Sequence, residues 1–280
     1  MGFIEKLDKL PSQYLWVILL CVSSIAILRP IGLPVVPSSL TRDGYNFIED
    51  LPPDSVVVLD WSATSGYGPE LETQCVAVFR HLLSRPLKVI IVSFASEGPL
   101  LYDMALEGSK LSGVAVKPEE DYGKIYGEDY VFLGYIPGNE VAFVAFAEDS
   151  WMTEKDEYGK PLEELPIMQY CKTVEDWSLA VTLRGSFFEE MIGLWNSAYG
   201  LPIIMGGPGV SCPRLFPFYA AGQLVSIIVS VVGSSHYETL IGEPGLGCQL
   251  MDGLSLAQLL IVASIIVGNI AGYYKRRGGK

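Results

Sequence analysis

Two uncharged apolar stretches near opposite ends of the chain limit what it can fold into more than any other feature. From Leu10 to Leu28, and again from Leu254 to Tyr274, no side chain is charged. Each is close to the ~20 residues that a helix needs to cross the core of a bilayer. The first opens on Tyr14 and Trp16, whose amphipathic rings favour a lipid interface. It ends at Arg29-Pro30, because proline disfavours the helical state of the residue before it. The second ends in Tyr273-Tyr274-Lys275-Arg276-Arg277, an aromatic pair followed by a basic tail, which marks a membrane exit. Lys6 and Lys9 are offset by Glu5 and Asp8, and no small-x-small site follows, so the first stretch reads as a retained helix, not a cleaved signal.

This reading divides the chain into six parts. They are an N-terminal cytoplasmic segment (1–12), a transmembrane helix (13–28), a proline-rich connector (29–51), an acidic domain (52–253), a second transmembrane helix (254–274) and a basic cytoplasmic tail (275–280). Lys275, Arg276, Arg277 and Lys280 should stay in the cytoplasm. Two crossings then place both termini there and the central domain outside, in an integral protein of the cell membrane. Residues 29–254 carry 13 basic and 30 acidic side chains, a net charge of −17. Such a surface repels phosphate backbones, so no nucleic-acid partner is expected. A third uncharged stretch, Leu215 to Gly233, is interrupted by Pro217, Gly222, Gln223, Ser226 and Ser230. It reads as a buried or membrane-surface helix; a third crossing is the alternative.

Inside the domain, short apolar runs alternate with helical periodicity. Val56–Leu59, Leu87–Ser93, Tyr130–Tyr135, Leu179–Leu183 and Leu201–Met205 read as strands buried on both faces. Helices are predicted over Glu70–Ser84, Pro99–Gly108, Glu140–Glu148 and Phe187–Tyr199, with more helix after Pro213. Strands each followed by a helix imply a Rossmann-like open, mostly parallel sheet, here flanked by the two transmembrane helices. Trp151 to Asp176 breaks the rhythm and reads as a polar surface excursion. The run Leu51–Phe94 is similar to the opening β-α-β unit of many membrane-anchored extracytoplasmic α/β domains. That resemblance spans about 44 residues, has no catalytic signature and implies a fold only.

In an open α/β sheet, ligands bind beyond the carboxyl ends of the strands. That rule nominates Asp60, Ser96, Arg184, Gly206, Gly207 and Ser211 as ligand-binding residues, with Ser62, Ser93, Tyr135 and Gly138 nearby in the same topology. Gly206-Gly-Pro-Gly209 lacks the lysine of a P-loop and reads as a tight turn before a helix. Cys212 would suit a nucleophile only with a base in reach, and the chain has two histidines, His81 and His236. His81 is expected to be exposed, Cys75 to be a buried thiol, and Cys212 with Cys248 to be the reactive or bridging pair. Two distant histidines and no CxxC argue against a metal site, and no cofactor motif is present. In the second apolar stretch Ser264, Gly268 and Gly272 recur every four residues beside Asn269. Such small-residue faces let helix backbones approach closely, here against the first helix or another subunit. The leading expectation is therefore a non-enzymatic membrane subunit, whose partners are the bilayer and other membrane helices or a second copy. An extracytoplasmic small-ligand sensor comes next, and a membrane-anchored hydrolase last.

Overall fold

Strands covered on both faces must be apolar throughout, and Val56-Val57-Val58-Leu59 and Val89-Ile90-Ile91-Val92 are. The computed structural model describes residues 11–109 and 113–278. It arranges the strands as one open six-stranded sheet, all parallel, in the order β3-β2-β1-β4-β5-β6. These are β1 (Val56–Ser62), β2 (Lys88–Ser93), β3 (Tyr130–Tyr135), β4 (Trp177–Arg184), β5 (Ile203–Gly207) and β6 (Ser226–Val229). β1 is buried along its whole length, with Val58 in register with Ile90 on one side and Ala180 on the other.

Helices α1 (Ser12–Leu28) and α2 (Ser39–Glu49) precede the sheet. α3 (Gly68–Ser84) joins β1 to β2, while α4 (Gly98–Glu107) and the short α5 (Pro118–Tyr122) lie between β2 and β3. α6 (Glu140–Glu148) follows β3, and α7 (Phe188–Met191) follows β4 and runs into a π-helical turn, Ile192–Ser197. α8 (Phe216–Ala220) leads to β6, then come α9 (Ser230–Ile241) and α10 (Leu246–Gly278).

The two-residue period of a strand sorts its side chains between two cores. Val57, Leu59, Val89, Ile91 and Val181 pack with Phe79 of α3, Tyr102 of α4, Tyr237 of α9 and Ile48 of α2. Val56, Val58, Ile90, Val92 and Ala180 pack with Phe143 and Phe146 of α6 and with Trp195. The excursion expected to run over the surface contributes Leu162, Leu165, Ile167 and Met168 to this second core. Glu154, Glu157, Glu163, Glu164, Glu175 and Asp176 of this stretch are exposed, whereas Asp156 is buried.

Three expectations are corrected. The sheet has six strands, not five, because the uncharged stretch Leu215–Gly233 is not a single helix. It breaks at Gly222, whose φ is +75°, and holds β6. His81 is not exposed. It is 2% accessible, bonded to Tyr237 Oη at 2.8 Å and Glu49 Oε1 at 2.9 Å, and stacked on Tyr45. Finally, among the described residues one helix, not two, is long and apolar enough to cross a membrane, over Leu246–Ile270. α1 has 17 residues. At 1.5 Å per residue it is about 25 Å long, short of the ~30 Å core.

The chain divides into two units, an α/β unit of Val35–Gly247 and a helical unit of Met1–Pro34 with Cys248–Lys280. Within the helical unit the carboxylate of Asp252 accepts hydrogen bonds from the backbone N–H groups of Ile31 (2.7 Å), Gly32 (2.8 Å) and Leu33 (2.9 Å). The helices approach closely at Gly253, where an added Cβ would lie 2.9 Å from Ile27 Cγ1. Residues 1–10 of the expected N-terminal segment, and Gly279 and Lys280 of the tail, lie outside the described residues.

Candidate functional site at the centre of the sheet

The strand order reverses direction between β1 and β4, so the connections leaving their carboxyl ends diverge and leave a crevice, the usual ligand position in an open α/β sheet. A pocket of about 300 Å³ occupies this position. Its lining comes from three strand ends and the loops that follow them: Ser62, Thr64 and Tyr67 at and after the end of β1, Phe94 and Ala95 after β2, and Arg184 to Phe187 at and after the end of β4. α3 begins at Gly68, directly after Tyr67, so the amino end of a 17-residue helix borders the pocket.

Arg184 is the last residue of β4 and stands in register with Ser62. It is 3% accessible, and its Nη1 lies 3.3 Å from Oδ2 of the fully buried Asp60. The pair is an ion pair without hydrogen-bond geometry, and among the described residues Asp60 Oδ2 and Arg184 Nε and Nη1 have no hydrogen-bond partner. Asp60 Oδ1 accepts the Ser62 hydroxyl proton, and Ser62 Oγ in turn accepts from the backbone N–H of Phe94 at 2.9 Å. Burial raises the Asp60 pKa against the opposing pull of Arg184, and burial lowers that of Arg184 against the pull of Asp60. A guanidinium nevertheless stays cationic in a folded protein. Its carbon lies 4.6 Å from the ring centre of Phe143, a cation–π contact, with Phe94 edge-on to Phe143 at 4.8 Å.

The rim is strained. Phe187 has φ +59° and ψ +38°, a left-handed conformation that a bulky side chain rarely adopts. It is held there between β4 and α7, and strain of this kind gathers at binding sites. Close by, Glu72 of α3 is buried against Trp61, whose Nε1–H donates to it at 3.2 Å. Burial pushes the Glu72 carboxyl up to about 8.

Of the residues nominated from sequence, Asp60 and Arg184 meet, and Ser62 joins them. Ser96 stands exposed on the loop after β2 and does not line the pocket. Gly206 and Gly207 end β5, and Ser211 lies in the turn that follows, apart from the pocket. There the Gly207 carbonyl accepts from Gln74 Nε2 at 3.0 Å, and the Gly209 N–H donates to Glu70 at 2.8 Å. Glu70 also accepts the hydroxyl of Ser230, so the chain's own carboxylate fills the glycine turn. Thr64, Tyr67, Phe94, Ser186 and Phe187 were missed. Their one sequence signal is that they follow strands β1, β2 and β4.

Cys212 lies in the same turn, buried, with its thiol donating to the Gly207 carbonyl at 3.3 Å. Burial pushes this thiol up to about 11, away from thiolate chemistry. No disulfide joins it to Cys248. Cys75 is buried, as expected. His236 Nδ1 lies 3.4 Å from the Ser38 backbone nitrogen, and neither histidine is hydrogen-bonded to Cys212. Among the described residues no group of three or more histidine, cysteine or acidic side chains is placed to hold a metal.

In the helical unit, Ser264 faces a groove with Leu15, Trp16 and Leu19, and its hydroxyl donates to the Leu260 carbonyl at 2.8 Å. Asn269 is exposed, and no described atom lies within 4 Å of where a Cβ on Gly268 or Gly272 would sit. No protein-family model, curated protein or solved structure matches this chain.

Proposed function

We propose that this protein is a membrane-anchored, non-enzymatic binding component, whose α/β unit takes a small ligand in the pocket between β1 and β4. The observation that carries the reading is the buried guanidinium of Arg184, lining a crevice at the reversal point of the sheet with donors left unpaired. The buried, hydrogen-bonded thiol of Cys212 favours binding over hydrolysis. To test this, full-length protein in detergent is screened with small-molecule fragments by thermal shift, beside Ser186→Trp, which fills the pocket from its exposed rim. Fragments that raise the melting temperature of the parent by several degrees should leave the variant unmoved. Equal responses in both proteins would place binding elsewhere and defeat the reading.

The anchor is α10. The basic Lys275, Arg276, Arg277 and Lys280 then keep its carboxyl end in the cytoplasm, and the acidic α/β unit lies outside the cell membrane. A second role, assembly with another membrane subunit or a second copy, is favoured by the open face at Gly268 and Gly272.

A further inference from the structure

We infer that the pocket between β1 and β4 takes a small organic monoanion, a carboxylate on a flat apolar body, with its charged end against Arg184. This rests on the binding reading above and names the ligand class. Three observations lead to it. A guanidinium has five N–H donors in one plane, and Asp60 meets that plane at one nitrogen without hydrogen-bond geometry. Phe143 covers one face of the guanidinium, whose Nε and Nη1 are buried without a hydrogen-bond partner, so an acceptor approaches in the guanidinium plane, as a planar carboxylate does. The remaining walls come from the aromatic residues Tyr67, Phe94 and Phe187 with Thr64 and Ser186, a composition that suits a flat body with a polar end.

Charge and size limit the choice further. Arg184 is the one basic side chain in the lining, and Asp60 already offsets part of it. A phosphate dianion would call for more positive charge than this. The α3 amino end supplies a fraction of a charge, enough to favour a monoanion. At about 300 Å³ the cavity lies at the small end of ligand pockets, which suits a small ligand.

The probes are benzoate, its uncharged isostere benzamide, and inorganic phosphate, titrated calorimetrically into the full-length protein in detergent. Benzoate should bind at least about tenfold more tightly than benzamide, a difference of about 1.4 kcal/mol, and phosphate should bind weakest. Arg184→Lys keeps the charge but loses the fork, and should cost benzoate most of that preference. If leaving Asp60 beside a lysine unfolds the chain, the double variant Asp60→Asn/Arg184→Gln removes both charges together and should bind benzoate and benzamide equally. Benzamide binding as tightly as benzoate to the parent, with both lost in Ser186→Trp, would overturn the carboxylate class and leave the pocket reading intact. Phosphate binding tightest would overturn the class in favour of an inorganic or phosphorylated ligand. Absence of any benzoate binding at about 10 mM, where millimolar affinity is still detected, would also overturn it.

Discussion

Glu72 shows how one residue can set the pH behaviour of the α/β unit. One carboxylate oxygen accepts from Trp61, the other has no partner among the described residues, and burial pushes the group from 4.5 up to about 8. At neutral pH it is protonated in the folded chain and ionised in the unfolded one. The unfolded state therefore binds fewer protons between those two values, and stability falls as pH rises from about 4.5 to about 8. Glu72→Gln keeps the shape and the acceptor for Trp61 without the ionisation. It should flatten that slope and raise stability at pH 7 by on the order of 3 kcal/mol. Urea midpoints measured across this range would check it, and parallel pH profiles for the two proteins would refute the assignment. Little of this was legible in the sequence. Glu72, like His81, lies on the polar side of an amphipathic pattern, and a pattern assigns that side to solvent. In the structure α3 is covered on its second side too, where Thr73 meets Ser234 at 2.7 Å and His81 meets Tyr237. Asp60 and Arg184 were legible because the strand-end rule depends on topology alone. The left-handed turn at Phe187 was not, because tertiary packing imposes it against the residue's own preference.

At the level of elements, β1 to β5 could be read because a strand buried on both faces leaves an unbroken apolar run bounded by polar residues. β6 could not. Ser226-Ile-Ile-Val229 is four residues inside a longer uncharged stretch, and periodicity does not separate so short a strand from helix. What identifies it is its pairing with β5, a long-range fact. The small residues of α10 teach a related lesson. Their spacing suggested a contact face over Ser264, Gly268 and Gly272, yet the close approach to α1 falls at Gly253. Among the described residues nothing outside α10 comes within 4 Å of a Cβ built at Gly268 or Gly272. Replacing both with isoleucine keeps the span apolar and blocks close approach. It should weaken helix association by on the order of 1–3 kcal/mol, with the α/β unit unaffected. Size in mild detergent and the far-ultraviolet melting curve read the two effects separately, and an unchanged oligomeric size would assign this face to lipid.

For the molecule as a whole, the division is between an acidic α/β unit and an apolar helical one. The proposed orientation puts the first outside the cell. A cysteine is placed at Glu163, which is exposed, whereas Asp156 nearby is buried and bonded to Tyr126. In the variant Glu163→Cys, a membrane-impermeant thiol reagent should label intact cells as fully as lysed ones. Labelling only after lysis would reverse the orientation and give the basic tail no say in it. The Asp252 clasp has a further consequence, which concerns time. It joins Asp252 to backbone groups 219 to 221 positions earlier in the chain. The whole α/β unit lies between them, so the clasp forms only after that unit has been synthesised. α1 emerges first yet acquires its partner last. Until then Ile31, Gly32 and Leu33 must satisfy their N–H groups with water or lipid headgroups. Closure of the clasp is thus a late event in biogenesis, set by the moment at which α10 leaves the ribosome.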